Sequence, residues 1–428
     1  MKYLQKDDKI EKYDILKEEF TITVIYKILN KMFDLIDEYK PKMKLIIALG
    51  CILLAFIIAV ILVTANVKYI FFERNVQDKA PDYRLGEWYY NSLTYKEQLL
   101  YNEVEEAAEK IDDKTDNLPY LYTEDEFVKV VKSVVYDNPE LFYLMSDETE
   151  LFTTSRKTHV KLNYYDDKSD IKAMRKELNN KLAEIASALD IESEDADNFD
   201  IETAIHDYIV LNCEIDLGNE YNYINDTAYG ALINGKAYSG GYSAAFKLLM
   251  NRYGMVCYVI EGEVNDQRHL WNMVYINGSY FHVDVTWNDS DIEYVENLLF
   301  HAYFNVSNTI ISEDHYIPDL SLIPAAHTES NYYNMKNLYI IDLEDMKSRI
   351  NRIILDALEN EPPKMFFELY TNFGADVYEG EEFRKIIIDS LRQINQSDTG
   401  ISLDESFRIY KASNSKNILT IQLYNLEN

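Results

Sequence analysis

The chain has 428 residues, of which 47% are hydrophobic, and its formal net charge is −32. Residues 1–74 carry 12 Lys/Arg and 10 Asp/Glu, so the remainder, with 30 Lys/Arg and 64 Asp/Glu, holds the negative charge. A domain this acidic repels phosphate backbones, which argues against nucleic acid as a partner. The length allows two or three domains.

The first predicted element is a membrane span over Leu45–Ala65. These 21 residues carry no charge, and about 20 helical residues cross the hydrocarbon layer of a bilayer. A cleaved signal peptide is the alternative, but the run begins far from Met1 and is long for that purpose. Lysines lie close on both sides, three before and one behind: Lys40, Lys42, Lys44 and Lys68. This asymmetry predicts a cytoplasmic N-terminus and a large extracytoplasmic domain at the cell membrane.

Helices are predicted to open the outer domain. Thr94 is followed by Glu97 and Thr123 by Glu126, and each pair has the spacing of a capping box at a helix start. Two strands and two helices are predicted next, over Leu151–Thr154, His159–Tyr164, Asp170–Leu189 and Ile201–Leu211.

Strands are predicted from Met255 onward, because apolar, β-branched and aromatic residues dominate there. The dipeptide Asn277-Gly278 is a strong hairpin signal between two of these strands. The predicted strands are Met255–Ile260, Leu270–Ile276 and Ser279–Trp287.

The hairpin brings a histidine and an aspartate together. If residue 276 pairs with residue 279, His269 lies opposite Thr286 and diagonally next to Asp284. An imidazole and a carboxylate can bridge that distance. The register therefore predicts a His269–Asp284 pair, which would fix the histidine tautomer and stabilise its charged form.

The residues beyond Tyr332 predict a separate small α+β unit. Its boundary is expected near Ala325–Asn331. The predicted order is strand, helix, strand, helix and hairpin, over Leu338–Ile341, Leu343–Leu358, Lys364–Tyr370, Glu381–Ile394, Ser406–Ala412 and Asn417–Leu426.

Ser239 is predicted to begin a helix after a Gly-containing turn. The free N–H groups and the positive end of the dipole at a helix N-terminus stabilise an anion, so a nucleophile there is activated. Serine is also a preferred N-cap residue, so a purely structural role is the alternative.

Three motifs resemble the bacterial transglutaminase-like (papain-related) core domain: Gly235–Tyr242 (GKAYSGGY), His269–Asn272 (HLWN) and His282–Trp287 (HVDVTW). In that family a cysteine opens the helix in a "GKAVCEGY"-like turn, a histidine stands in "HAWN" and an aspartate in "HVDVTW". The matching positions here are Ser239, His269 and Asp284. The resemblance implies that these are the catalytic positions, although a serine replaces the cysteine and Gly240 replaces the glutamate.

The resemblance implies an α+β fold in which the helix with the nucleophile position packs on an antiparallel sheet. Family members use Cys–His–Asp for thiol-ester chemistry, as peptidases or transamidases. A hydroxyl is harder to deprotonate than a thiol. We therefore expect an inert or impaired module that binds a peptide, a protein or a cell-wall polymer. The alternative is an active acyl-transfer enzyme with Ser239 as nucleophile, so enzymatic activity stays open.

Three aromatic residues near the motifs are predicted to line the cleft: Tyr229, Tyr238 and Trp271. Core packing is the alternative for Tyr229. His206 is expected to pack or cap structurally, and His282 to lie at the surface or to support the site. His301 and His315 lack the spacing of metal ligands, so neither a metal nor a cofactor is predicted.

Two cysteines, Cys213 and Cys257, fall outside the predicted span. They are too few for a disulfide framework, so buried free thiols are predicted, with a single bridge as the alternative.

The predicted organisation is a cytoplasmic segment at 1–44, a span at 45–65, a linker and helical part at 66–198, a transglutaminase-like core at 199–325 and a C-terminal unit at 330–428.

Overall fold

The structure is a computed structural model. It divides into two compact units, Met1–Lys79 and Ala80–Asn428. The structure describes scattered positions between residues 31 and 60. It also describes residues 79–425, except 119, 154–156, 190–196, 219, 290–298, 319–323, 325, 327–330, 360–364, 398–399 and 412–416. Most of the predicted span Leu45–Ala65 lies outside these residues. Among the residues described, no helix combines the length and apolar character that a membrane crossing requires.

Both predicted capping boxes are present. The hydroxyls of Thr94 and Thr123 accept the backbone N–H of Glu97 and Glu126, whose carboxylates accept the threonine N–H in return. This exchange satisfies backbone donors that a helix start leaves unpaired. The elements here are helices α1 Trp88–Ser92, α2 Tyr95–Lys110 and α3 Glu124–Asp137, with antiparallel strands β1 Glu150–Thr153 and β2 Thr158–Lys161.

A helical region leads to the nucleophile position. Its elements are α4 Lys168–Leu189, α5 Asn198–Asn212, the short parallel strands β3 Glu214–Ile215 and β4 Lys236–Ala237, and α6 Ser239–Arg252. Helix α6 therefore begins at the predicted residue. Its apolar side, including Phe246, Leu249 and Met250, is fully buried.

The central sheet consists of β5 Val256–Val264, β6 Gln267–Ile276, β7 Ser279–Val283 and β8 His315–Tyr316, in the antiparallel order β7-β6-β5-β8. Helix α6 packs on β5 and β6. Ile276 pairs with Ser279, which confirms the predicted register. Asn277 and Gly278 both have positive φ, at 51° and 86°, as a two-residue hairpin turn requires.

The predicted extension of the last strand to Trp287 is wrong. Strand β7 ends at Val283, and Asp284 accepts the backbone N–H of Trp287 as the N-cap of a short helix, α7, over Val285–Asn288. Aspartate is a favoured N-cap residue, and this bond turns the chain out of the sheet. The short helix α8, Asn308–Ile311, follows.

The C-terminal residues have a sheet and a core of their own. The sheet order is β11-β12-β10-β9, and helices α10 and α12 pack on each other and share the buried core with the sheet. The predicted order of elements is confirmed, and the domain boundaries stay a prediction. The elements are α9 Tyr332–Met335, β9 Tyr339–Ile340, α10 Leu343–Leu358, β10 Phe366–Thr371, α11 Ala375–Tyr378, α12 Glu381–Asn395, β11 Arg408–Lys411 and β12 Ile418–Gln422.

Candidate active site

Ser239 and His269 lie on adjacent elements. The Ser239 hydroxyl, at the first position of α6, accepts the backbone N–H of Leu270 at 3.2 Å, and Leu270 follows His269 on β6. Among the hydrogen bonds of the described residues, none joins Ser239 Oγ to His269. The nucleophile position is thus held beside the histidine by a backbone hydrogen bond, without a hydrogen bond between Ser239 Oγ and His269 among the described residues.

The predicted His269–Asp284 pair is confirmed. His269 Nε2 lies 2.6 Å from Asp284 Oδ2, and Asp284 is fully buried. Burial alone would raise the pKa of Asp284. The charges of His269 and His315 and their hydrogen bonds outweigh burial and hold that pKa below its usual value. The catalytic role of Ser239, His269 and Asp284 stays a prediction.

His315 is a second histidine that bonds to Asp284, and no pattern in the sequence predicted this contact. Its Nε2 lies 2.9 Å from Asp284 Oδ2, and its Nδ1 lies 2.5 Å from Asp314 Oδ1. Burial lowers the pKa of His315, but its hydrogen bonds to both carboxylates raise it to about 9. The contact depends on the pairing of β8 with β5, which no local sequence pattern predicts.

A carboxylate also faces the start of α6. Asp226 accepts the backbone N–H of Gly240, and its Oδ2 lies 3.1 Å from Arg268. A Cβ atom at position 240 would lie 2.1 Å from Asp226 Oδ1, so a larger residue there would displace the Asp226 carboxylate. Because the positive end of the helix is already occupied by an anion, it stabilises a second anion on Ser239 less well.

The predicted aromatic residues have different surroundings. Trp271 is fully buried and donates its indole N–H to His282 Nδ1 at 3.0 Å. Tyr238 is half-buried, and its ring stacks on Tyr221 with centroids 5.5 Å apart. Tyr229 bonds to Glu177 and stacks on Phe142 at 4.9 Å, as the packing alternative requires.

A cleft of about 640 Å³ adjoins the site. Gly240 and Leu270, which follow Ser239 and His269 in the chain, both line it. Helix α3 supplies apolar side chains to the lining, and charged side chains from α3 and from other elements also line the cleft. These lining residues include Phe127, Val128, Val131, Asp226 and Arg268.

His282 is fully buried, which excludes the surface alternative. Its Nε2 lies 3.1 Å from Asn308 Oδ1 and its Nδ1 accepts the indole N–H of Trp271. Burial lowers the pKa of His282 to about 4, so the ring is neutral near pH 7. His282 therefore supports Trp271 beside the site as a neutral acceptor.

A separate buried group consists of His206, Asp207 and His301. The ligand atoms of these side chains lie within 4.8 Å of one another, as metal ligands would. The hydrogen bond at His206 Nε2 shows that Nδ1, the nitrogen that faces Asp207, is not free to bind a metal. Asn288 accepts the backbone N–H of Tyr303 through Oδ1, so its NH₂ group donates to His206 Nε2.

The proton of His206 must therefore be on Nδ1, where it is donated to Asp207 Oδ1 at 3.0 Å. A protonated nitrogen has no lone pair for a metal. The group is a hydrogen-bonded network, and His206 has the structural packing role that its position on a helix predicts.

Both cysteines of the large unit are free and buried. The prediction of two buried free thiols at Cys213 and Cys257 is therefore confirmed, and the bridge is excluded. Burial raises the pKa of Cys213 to about 12 and raises that of Cys257 further, so neither is an activated thiol.

Comparison with known proteins gives a family match over part of the chain. The family model of the transglutaminase-like superfamily matches residues 185–285. These residues form a transglutaminase-like superfamily domain. The matched range of this transglutaminase-like domain contains Ser239, His269 and Asp284 but ends before His315. A search of curated proteins found no match.

Two similar solved structures are a transglutaminase, described as a TGase, and a candidate cysteine protease from Cytophaga hutchinsonii. The first is 14% identical, covers 35% of this chain and 46% of its own, and has a TM-score of 0.25. The second is 12% identical, covers 32% of this chain and 61% of its own, and has a TM-score of 0.22. The chain thus spans less than two thirds of either protein, and TM-scores this low carry no functional argument.

Proposed function

We propose that the protein is a membrane-anchored extracytoplasmic module whose transglutaminase-like domain binds a peptide or a cell-wall polymer and is inert or strongly impaired in acyl transfer. The observation that carries the proposal is the bonding of Ser239. Its oxygen accepts a backbone N–H from Leu270 and has no bond to His269 among the described residues. A hydroxyl needs an aligned base to become a nucleophile, and the missing hydrogen bond to His269 supports impaired acyl transfer.

The cleft beside the site supports a binding role. Its volume of about 640 Å³ falls within the range of ligand sites, and it combines an apolar wall with charged groups. Val128 lines the cleft and is 53% exposed, so a large side chain there would fill the cleft without disturbing the core.

Binding is tested with purified peptidoglycan in a sedimentation assay and with a fluorescein-labelled peptide mixture in an anisotropy assay. We expect the full chain in detergent to bind one of them. Val128→Trp should abolish that binding, and Ser239→Ala should retain it. Asp125→Trp is the matched control, because Asp125 is exposed on the same helix but does not line the cleft. Binding by neither probe, or equal loss in both tryptophan variants, would overturn the binding proposal.

The second candidate function is acyl transfer by Ser239, and the His269–Asp284 distance of 2.6 Å favours it. The serine hydroxyl would give its proton to His269 as it attacks an acyl carbon, and Asp284 would stabilise the imidazolium. His269 would then return the proton to the leaving amine or alcohol as its bond to the acyl carbon breaks and the acyl-serine forms. A fluorophosphonate reagent should then label the wild-type protein but not Ser239→Ala. Labelling of Ser239 would end the proposal of an inert domain.

The membrane anchor rests on the uncharged run Leu45–Ala65 and the lysines before it. Protease added to intact cells should then remove the large domain, and detergent should not be needed for cleavage. A cytoplasmic protein serves as the control for cell integrity. Protection of the large domain in intact cells would contradict the proposed orientation.

A further inference from the structure

The candidate site contains three side chains with the composition of a zinc site. The ligand atoms of His269, Asp284 and His315 lie within 4.8 Å of one another. Asp284 Oδ2 lies 2.6 Å from His269 Nε2 and 2.9 Å from His315 Nε2. Imidazole nitrogens and a carboxylate oxygen are ligands that Zn²⁺ prefers, whereas Mg²⁺ and Ca²⁺ take oxygen ligands. His315 joins the group only through the pairing of β8 with β5, so the spacing along the chain predicts no metal.

The outer nitrogen of His315 has the partner that a zinc-bound histidine requires. Its Nδ1 lies 2.5 Å from Asp314 Oδ1, and the other oxygen of Asp314 accepts the Tyr303 hydroxyl. An ionised carboxylate only accepts hydrogen bonds, so a proton of His315 is held on Nδ1 and Nε2 is the nitrogen offered to a metal. Histidines that bind zinc almost always donate their second N–H to a carboxylate, a carbonyl or water in this way.

The surroundings of Asp284 also suit a bound cation. Its Oδ1 accepts the backbone N–H of Trp287 at 3.0 Å, which fixes the carboxylate and leaves Oδ2 toward the two histidines. Trp271 and Trp287 flank His315, with ring centroids 5.1 and 4.8 Å from that of the imidazole. Asp284 is fully buried, so its attraction to a cation is only weakly screened. The side chain of His269 keeps 11% of its surface exposed, which gives an ion a path from solvent.

The group of His206, Asp207 and His301 has similar spacing but the opposite hydrogen bonding. Asn288 donates to His206 Nε2, so the proton of this ring is on Nδ1 and faces Asp207. In His315 the nitrogen with the fixed proton faces Asp314, away from the shared oxygen of Asp284. The hydrogen bonds of the outer nitrogens therefore distinguish a zinc site from a structural network.

From these contacts we infer that His269 Nε2, Asp284 Oδ2 and His315 Nε2 bind one Zn²⁺. Tetrahedral zinc with bonds of about 2.0–2.1 Å holds its ligand atoms about 3.3 Å apart, so each ligand moves by less than about 1 Å. The ion displaces the protons that the histidines share with Asp284. Three protein ligands leave a fourth position for water. The site goes beyond both proposed functions and rests on neither, because its ligands are assigned from their geometry alone.

The test is a titration of the full chain in detergent, stripped of metals with EDTA, with Co²⁺ as a spectroscopic substitute for Zn²⁺. Four-coordinate Co²⁺ absorbs visible light strongly, and a paramagnetic ion quenches the fluorescence of nearby tryptophans, here Trp271 and Trp287. We expect one equivalent of Co²⁺ to produce both signals, and one equivalent of Zn²⁺ to remove the visible absorption. A wild-type protein that gives no visible band, or whose band persists with Zn²⁺, would overturn the inference.

Variants assign the ion to these ligands. Asp314→Asn should weaken Zn²⁺ binding by about 10–100-fold, because it removes only the partner of His315. His315→Asn and Asp284→Asn should weaken binding more strongly, because each removes a ligand. His159→Asn, on β2 outside the site, is the matched control and should bind like the wild type. Unchanged affinity in His315→Asn, or an equal loss in His159→Asn, would contradict the inference. If His315→Asn does not fold, Asp314→Asn decides, and unchanged affinity in that variant refutes the site.

Discussion

The buried imidazole of His301 provides a prediction about stability. His301 Nε2 lies 2.9 Å from Asp207 Oδ1, and its Nδ1 bonds to Glu368. Tyr332 stacks on the ring with centroids 3.6 Å apart. Burial lowers the pKa of His301, but the charges of Glu368 and Asp207 outweigh burial and raise it to about 9. The ring is therefore a cation between two carboxylates that come from α5 and β10.

The expected effect of His301→Gln follows from this pKa. The difference between 6.5 and about 9 corresponds to roughly 3 kcal/mol of stability. Because the folded-state pKa is the higher one, this stabilisation is fully present below pH 6.5 and is lost as the pH rises toward 9. The substitution should therefore reduce the free energy of unfolding by about 3 kcal/mol at pH 6 and by much less above pH 9.

Urea unfolding of the full chain in detergent, followed by tryptophan fluorescence at about pH 6, 7.5 and 10, measures this difference. His159→Gln is the matched control, since His159 is partly exposed and stacks on Phe152 at 5.3 Å. A loss of the same size at pH 6 and above pH 9 would show that packing, and not charge, stabilises the site. No loss at pH 6 would refute the ion pairs themselves.

Three further predictions follow from single contacts. Gly240→Ala should lower the free energy of unfolding by about 1–3 kcal/mol because its Cβ would clash with Asp226, and Asp226→Gly in the same chain should offset part of that loss, in thermal unfolding. Thr123→Ala should cost about 1 kcal/mol in urea unfolding through the lost cap. Cys213 and Cys257 should react with a thiol reagent only after denaturation, because both are buried with raised pKa values.

Each of these three predictions has a result that would contradict it. An unchanged melting temperature in Gly240→Ala would show that Asp226 can move away freely. A Thr123 variant as stable as the wild type would mean that water replaces the cap. Ser92→Ala gives the baseline, because the exposed Ser92 hydroxyl at the end of α1 bonds only to the Tyr89 carbonyl of the same helix. Rapid thiol reaction in the native Cys51→Ser variant, whose remaining cysteines are Cys213 and Cys257, would contradict the burial of these two thiols.

The sequence determined the features that depend on neighbouring residues. The capping boxes at Thr94 and Thr123 and the turn at Asn277-Gly278 use bonds and backbone angles within a few residues, so their patterns are readable without a fold. The His269–Asp284 pair belongs to this class, because one hairpin register places both residues. The start of α6 at Ser239 was predicted for the same reason.

The tertiary structure alone decided which remote residues meet these local features. His315 reaches Asp284 from 31 positions away through the pairing of β8 with β5, and Glu368 reaches His301 from 67 positions away. The β-rich sequence predicted that this strand continues past Val283. In the structure the strand ends at Val283, because Asp284 caps a helix there. Such contacts depend on how whole elements pack, and a carboxylate or an imidazole in the sequence does not indicate which distant partner will share its charge.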